Sequence, residues 1–175
     1  MPASLFRRVL VPHDFSPQAT VALKTAARLA REHDGTLTVL HVVVPFYMPA
    51  DVPFGFAADA MPSPTTFVPE QRKRLESLVT KALGTDAAPP VTYRVDVGDA
   101  SQCILDAARR ADSIVMSTSG RSGLSHLLIG SVAEKVVRHS PVPVLTVRPE
   151  SESARTRRRP GAERRARSKR GARVR

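Results

Sequence analysis

Short apolar runs alternate with amphipathic helical patterns along most of this chain, and this alternation constrains the fold more than any other feature. The apolar runs lie at residues 9–11, 37–44, 91–97, 114–116 and 142–147, and the helical patterns begin at Pro17, Pro69, Ala100 and Ser131. Continuous runs of Val, Ile and Leu are typical of strands that are buried on both faces. The sequence therefore predicts an α/β fold with a mostly parallel sheet and helices on both faces.

Basic charge is concentrated at one end of the chain. Residues 151–175 hold 11 of the 27 Lys and Arg residues and only 2 of the 16 Asp and Glu residues, and Val174 is their only large apolar residue. We therefore expect one domain over residues 1–150 and a disordered Arg-rich tail over 151–175. The tail has no aromatic residue, so it is either a non-specific polyanion contact that acts through charge or a solvated extension without a partner.

The remaining composition favours a cytoplasmic protein without a membrane segment. Cys103 is the single cysteine, which excludes an internal disulfide and suits a reducing compartment. The longest apolar stretch, at residues 39–50, is interrupted by His41, Pro45 and Pro49. It is too short and too broken to span a bilayer.

Glycines and hydroxyl side chains join the predicted strand ending at Met116 to the last helical pattern. Gly120 and Gly123 allow a ligand to approach the backbone closely, and Gly130 and Ser131 open a helix whose free N–H groups favour an anion. The segment is neither a GxxxxGK[ST] loop nor a dinucleotide fingerprint. A purely structural interpretation stays open, in which the glycines shape a turn and Ser131 only caps the helix in capping-box spacing with Glu134.

Several blocks of sequence in order resemble the universal stress protein family across residues 6–149. They are RVLVPHDFS at 8–16, LHV at 40–42, VGD at 97–99, and the segment from Gly120 to Leu145. The resemblance implies an open five-stranded parallel sheet that is Rossmann-like and adenine nucleotide alpha hydrolase-like. It also implies an adenine nucleotide as ligand and a homodimer through the last strand, from Val142 to Val147.

The ATP-binding branch of that family carries the pattern Gly, two residues, Gly, nine residues, Gly, then Ser or Thr. Gly120, Gly130 and Ser131 match its second half, whereas Ser117 stands at the position of the first glycine. The resemblance implies that Asp14 contacts the ribose or adenine, that backbone groups near Val42 contact adenine, and that Gly120, Gly130 and Ser131 hold the phosphates of ATP, with Mg possible through them. The predicted site comprises Pro12, Asp14, Val42, Met116, Ser117, Gly120, Gly123, Gly130, Ser131 and Val132.

Two of these residues carry open alternatives. The Cβ of Ser117 costs about 1–2 kcal/mol if the site needs a left-handed backbone there, whereas its hydroxyl could instead donate to a phosphate. Asp14, just before a helix, could serve as a helix cap rather than as a ligand contact.

No catalytic set of residues is evident. The five histidines lack metal-ligand spacing, and Gly-x-Ser-x-Gly does not occur. We therefore expect a cytoplasmic stress protein that binds ATP or a related adenine nucleotide weakly and is not an enzyme, weak ATP hydrolysis being left open. The alternative is a family member that has lost nucleotide binding and acts as a dimeric interaction protein.

Overall fold

The computed structural model describes residues 4–45, 64–84, 88–118 and 130–148. Within these ranges strands and helices alternate strictly. In chain order they are β1 Arg8–Pro12, α1 Pro17–Glu32, β2 Thr36–Val43, α2 Pro64–Leu83, β3 Val91–Val97, α3 Ala100–Ala108, β4 Ser113–Ser117, α4 Ser131–His139 and β5 Val144–Val147. Gly120, Gly123 and the tail at 151–175 lie outside the described residues.

The strands form one parallel sheet in the order β3-β2-β1-β4-β5. Strand β1 is central, the chain builds outward from it through β2 to β3, and then returns to its other side as β4 and β5. This confirms the predicted open five-stranded parallel sheet with helices on both faces. In the described parts of the chain, no helix is long and apolar enough to cross a membrane.

The two faces of the sheet have separate hydrophobic cores. Val9, Val11 and Val39 pack beneath α1 and α2, which we call the α1/α2 face. Leu10 and Leu40, the intervening residues, pack beneath α3 and α4, which we call the α3/α4 face. Successive side chains of a strand point to opposite faces, so each strand contributes to both cores.

Helix α1 begins and docks as its sequence predicts. The hydroxyl of Ser16 accepts a hydrogen bond from the N–H of Ala19 at 3.0 Å, and Pro17 occupies the first helical position. Five of its six buried residues are alanines, the sixth being Leu23. A Cβ on Gly35, just after the helix, would lie 2.1 Å from the carbonyl oxygen of Phe6, so glycine is required where the chain enters β2.

The prediction that α2 begins at Pro69 is wrong. The helix begins at Pro64, and Pro69 lies inside it. A proline within a helix removes the bond that its own N–H would make to the residue four positions earlier, and its ring crowds the carbonyl of that residue. The helix accepts this loss in its second turn, so the proline does not mark its start.

The last strand is shorter than predicted, because Val142 and Pro143 precede it. The hydroxyl of Ser140 accepts from the N–H of Val142 at 3.2 Å and donates to the carbonyl of Val142 at 2.7 Å, which holds a tight turn there. Pro143 has no N–H, but its carbonyl accepts from Ile114 at 2.9 Å and so starts the pairing with β4. Strand β5 then provides four residues at the edge of the sheet.

Ser131 does not cap α4, contrary to the structural interpretation of this serine. Gly130 is the N-cap and makes no side-chain capping bond, and Ser131 is the first helical residue. Glu134, the other half of the expected capping box, accepts from Arg138 at 3.2 Å instead. No side chain from the described parts of the chain therefore caps the first turn of α4.

Candidate functional site

A cavity of about 780 Å³ opens at the carboxyl edge of the sheet. Strands β1, β2 and β4 end there, and the first turns of α3 and α4 meet it from one face while the amino-terminal half of α2 meets it from the other. In open α/β sheets, ligands bind at this edge, where the strand order reverses. Here the reversal lies between β1 and β4.

Every predicted site residue that the structure describes lines this one cavity. These residues come from the ends of three strands and from the start of α4, and they are Pro12, Asp14, Val42, Met116, Ser117, Gly130, Ser131 and Val132. The fold thus brings together residues that are more than a hundred positions apart in sequence. Gly120 and Gly123 fall outside the described residues.

The turn after β1 places Asp14 at the cavity. Its Oδ1 accepts from the N–H of Ser16 at 3.0 Å, so the carboxylate stabilises the turn while Ser16 caps α1. Asp14 is therefore not the helix cap, although it does have a local structural role. Phe15 follows with a φ of 65°, a left-handed backbone conformation that residues other than glycine rarely adopt.

His13 is buried beneath this turn and is held as a neutral imidazole. Its Nδ1 accepts from the N–H of Phe15 at 3.0 Å, so the ring proton lies on Nε2, 3.3 Å from the hydroxyl of Thr20. Burial lowers the pKa of His13 to about 4, with the charge of Asp14 opposing this shift and His41 adding to it. His13 is therefore uncharged near neutral pH and fixes the geometry of the turn.

His41 ties β2 to the same turn. Its Nδ1 donates to the carbonyl of His13 at 2.8 Å, and its ring lies 4.3 Å from that of Phe15. The guanidinium of Arg74, from α2, lies over the Phe15 ring at 4.2 Å from the centroid. His41 and Arg74 thus both contact the Phe15 ring and support the left-handed residue.

Strand β2 runs past the end of β1 and exposes backbone groups to the cavity. The last β1–β2 pair is Pro12 with Leu40, and the Leu40 carbonyl accepts from His13 at 2.8 Å. The carbonyl of Val43 accepts from Gly98 on the opposite side of the strand at 2.9 Å. Because alternate residues of a parallel strand direct their backbone groups to opposite sides, those of Val42 point where β1 would have continued.

Ser117 adopts a strand conformation at the end of β4, in register with Val147 of β5. Among the described non-glycine residues, only Phe15 and Asp34 have positive φ. The backbone cost considered for a left-handed Ser117 therefore does not apply. Its side chain is half-buried and lines the cavity.

The first turn of α4 supplies N–H donors that have no side-chain partner among the described residues. An α-helix leaves its first N–H groups without intrahelical partners, and Gly130 provides no side-chain cap for them. A Cβ on Gly130, whose φ is −59°, would lie 3.4 Å from the Thr118 carbonyl, so the fold itself does not demand glycine here. The absence of a side chain leaves room in the cavity beside these donors.

Sequence analysis missed the wall that α2 contributes. Phe67, Gln71 and Arg74 line the cavity at spacings of four and three, one face of a helix. Helical spacing indicates this face only if the helix includes Phe67, which precedes the predicted start at Pro69. Thr118 also lines the cavity, without a motif to mark it, and so does His13, for which the resemblance implied no role.

A doubly wound parallel sheet with its cavity at the strand reversal defines a Rossmann-like protein. The sequence model of the universal stress protein family matches residues 5–148, and the chain belongs to this family. A universal stress protein of Thermus aquaticus is 30% identical over 146 residues, which cover 82% of this chain and 100% of that protein. The structure of universal stress protein UspA from Lactobacillus plantarum is 26% identical with a TM-score of 0.62, covering 83% of this chain and 100% of that one.

Two further structures share the fold and contain adenine nucleotides. A universal stress protein in complex with cAMP is 22% identical with a TM-score of 0.56, covering 83% of this chain and 98% of that one. An Arabidopsis thaliana family protein with AMP bound is 19% identical with a TM-score of 0.53, covering 83% and 94%. At these identities the likeness to this chain concerns the fold alone.

The neutral state of His13 predicts that stability depends on pH. Between about pH 4 and 6.5 the unfolded chain binds a proton at this histidine that the folded chain does not, so the free energy of unfolding falls as the pH falls through this window. The slope due to one such group is at most about 1.4 kcal/mol per pH unit. His13→Asn keeps an acceptor for the N–H of Phe15 and should flatten the slope in urea denaturation at pH 4.5, 5.5 and 6.5.

His139→Asn is the matched control, because it removes an exposed histidine at the end of α4. It should leave the slope as in the wild type. Equal slopes in the wild type and His13→Asn would contradict the assignment.

Proposed function

We propose that this protein is a cytoplasmic stress-response protein that binds ATP or a related adenine nucleotide in the cavity at the carboxyl edge of the sheet, without turning it over. The observation that carries the proposal is the convergence of Pro12, Asp14, Val42, Ser117 and the first turn of α4 on one cavity. Membership of the family and the nucleotides in two relatives of the same fold support it.

The base and sugar would lie between β1 and β2. Backbone N–H and C=O groups of Val42 offer a donor and an acceptor in the space that β1 vacates, which suits the edge of an adenine ring. Asp14, whose Oδ1 accepts from the N–H of Ser16, places its carboxylate at the cavity, where it would accept hydroxyl protons of a ribose. The apolar side chains of Met116 and Val132 lie at the same cavity.

The phosphates would lie at the start of α4. The partial positive charge of the helix terminus and the free N–H groups of its first turn favour an anion. Gly130 allows close approach, and Ser131 adds a hydroxyl at the cavity. The described residues contain no group of three His, Cys, Asp or Glu that could hold a metal, so Mg would enter with the phosphates. By resemblance, Gly120 would join this set.

Removing the charge of Asp14 is expected to weaken ATP binding. Asp14→Asn keeps an oxygen that can accept from Ser16, so the turn is preserved, but it converts a charge-assisted hydrogen bond to the ribose into a neutral one. The expected loss in affinity is about fivefold to tenfold, measured by calorimetry with ATP. Asp106→Asn, an exposed change on α3 outside the cavity, is the matched control and should bind as the wild type does.

Ser117→Gly completes this test. Because the backbone at Ser117 is extended, removing its Cβ relieves no strain, and we expect a change in affinity of less than about threefold. If neither the wild type nor Ser117→Gly bound ATP at millimolar concentration, the nucleotide proposal would be abandoned in favour of the interaction protein.

A homodimer through β5 is a second proposal and the basis of the alternative function. Strand β5 pairs with β4 on one side only and forms an edge of the sheet. Leu145 is 39% exposed there, and Val137 of the neighbouring α4 is 47% exposed. Edge strands with exposed apolar residues readily pair with another chain.

Leu145→Lys should separate such a dimer without unfolding the protomer, because Leu145 is exposed in the single chain. We expect a shift from dimer to monomer in sedimentation at micromolar concentration. Thr92→Lys, an exposed change on the opposite edge strand β3, is the control. A wild type that sediments as a monomer at high concentration would refute the dimer.

We also propose that residues 1–150 form the folded domain and that the Arg-rich tail at 151–175 contacts polyanions. Truncation after Glu150 removes a net charge of +9 but no residue of either core, so the melting temperature should stay within about 2 °C of that of the full chain. Binding to duplex DNA at low salt should be lost, as measured by fluorescence anisotropy. Equal DNA affinity of the two chains would refute the role of the tail.

A further inference from the structure

The wall that α2 contributes to the cavity lies on the opposite face of the sheet from the proposed phosphate site. Helix α2 packs on the α1/α2 face through Leu75 and Val79, whereas Ala133 and Val136 of α4 pack on the α3/α4 face. A nucleotide bound at the start of α4 therefore does not account for the polar residues of the α2 wall.

Gln71 is the first unexplained group of this wall. It is only 8% exposed and lines the cavity, and within the described ranges its side-chain amide makes no hydrogen bond. In those ranges no fully enclosed side-chain nitrogen or oxygen lacks a partner, so the amide atoms of Gln71 are the part that reaches the cavity. A buried residue that presents unpaired polar atoms to a cavity is arranged for a partner that enters it.

Arg74, one helical turn further along α2, is the second group of this wall that nucleotide binding leaves unexplained. The residue is exposed, its guanidinium carbon lies 4.2 Å from the centroid of the Phe15 ring, and none of the ion pairs among the described residues includes it. A guanidinium held over an aromatic ring can still donate its N–H groups to an oxyanion. At a spacing of three, Gln71 and Arg74 are neighbours on one face of the helix.

The charges around the cavity favour an anion at this place. Among the described residues that line it, Arg74 is the only permanent cation and Asp14 the only permanent anion. Asp14 already accepts from the N–H of Ser16, and His13 is neutral because burial lowers its pKa. The positive charge of Arg74 therefore has no compensating carboxylate on its own wall.

We propose that Gln71 and Arg74 form a second subsite for a small oxyanion, either a phosphate or a carboxylate, on the α1/α2 face of the cavity. The guanidinium of Arg74, which lies over Phe15, donates to two oxygens of the anion. The amide of Gln71, one turn earlier in the helix, donates a third hydrogen bond to the same anion. The subsite goes beyond nucleotide binding and does not depend on it.

The test follows the side-chain Nε–Hε signal of Arg74 by NMR in the full chain during titration with sodium phosphate and, separately, sodium acetate. We expect the Arg74 signal to shift and saturate with at least one anion, while that of Arg72, which is paired with Glu76 at 3.0 Å, moves little. Saturation with phosphate alone assigns a phosphoryl group, and saturation with acetate alone assigns a carboxylate. If neither anion shifts the Arg74 signal, the proposal is overturned.

Variants give an independent readout of the same titrations by calorimetry. Arg74→Met keeps a side chain that packs on Phe15 but removes the charge, and should weaken binding at least fivefold, whereas Arg72→Met removes the same charge from the same helix and should not. Gln71→Glu preserves size but adds a repelling carboxylate, and should abolish binding. Unchanged affinity in both Arg74→Met and Gln71→Glu would overturn the subsite.

A last comparison separates this subsite from the nucleotide site. Asp14→Asn should leave the shift of Arg74 with phosphate intact, and Arg74→Met should leave the affinity for adenosine, which has no phosphate, intact. If ATP failed to bind while the Arg74 signal still saturated with an anion, only the proposal of nucleotide binding would be refuted. Loss of the Arg74 response in Asp14→Asn would show that the two sets of residues form one site and would overturn a separate subsite.

Discussion

The cavity depends on where β1 stops pairing with its neighbours. The last residue pair between β1 and β2 is Pro12 with Leu40, and after a final hydrogen bond from His13 to the Leu40 carbonyl the chain turns away toward α1. Because β2 continues to Val43, the sheet has a notch at its centre, lined by the backbone of Val42. Because the strand order reverses beside β1, the helices after β1 and β4 lie on opposite faces of the sheet. The notch therefore stays open between them.

The turn that closes the base of this notch is held by a small buried network. Phe15 would not keep a left-handed backbone without compensation, since that conformation costs about 1–2 kcal/mol for a residue with a Cβ. The acceptor nitrogen of His13, the oxygen of Asp14 and the ring of His41 together supply that compensation. An uncharged His13 is essential to it, because a protonated Nδ1 could not accept from Phe15.

The sequence predicted the order and type of the elements because buried parallel strands and amphipathic helices have distinct periodicities. It failed where a local signal had two meanings. Pro69 was interpreted as a helix start but lies inside α2, and Ser131 was interpreted as a possible cap but lies within α4. Gly130 and Ser131 were predicted from the glycine-rich segment before a helix, whereas Asp14 and Val42 were implied only by the resemblance to the family. The α2 wall carries no such signal, and only the packing of α2 on the sheet brings Gln71 and Arg74 to the cavity.

The alanines of α1 affect how rigidly the residues at the carboxyl edge of the sheet are held. Alanine has no side-chain rotamers to freeze, so burying Ala22, Ala26 and Ala30 against the sheet costs no side-chain entropy. With so little between the helix backbone and the strands, α1 has few ways to rock or slide on the sheet. The residues positioned by the first turn of α1 are therefore also held rigidly. Their geometry is preorganised for a ligand.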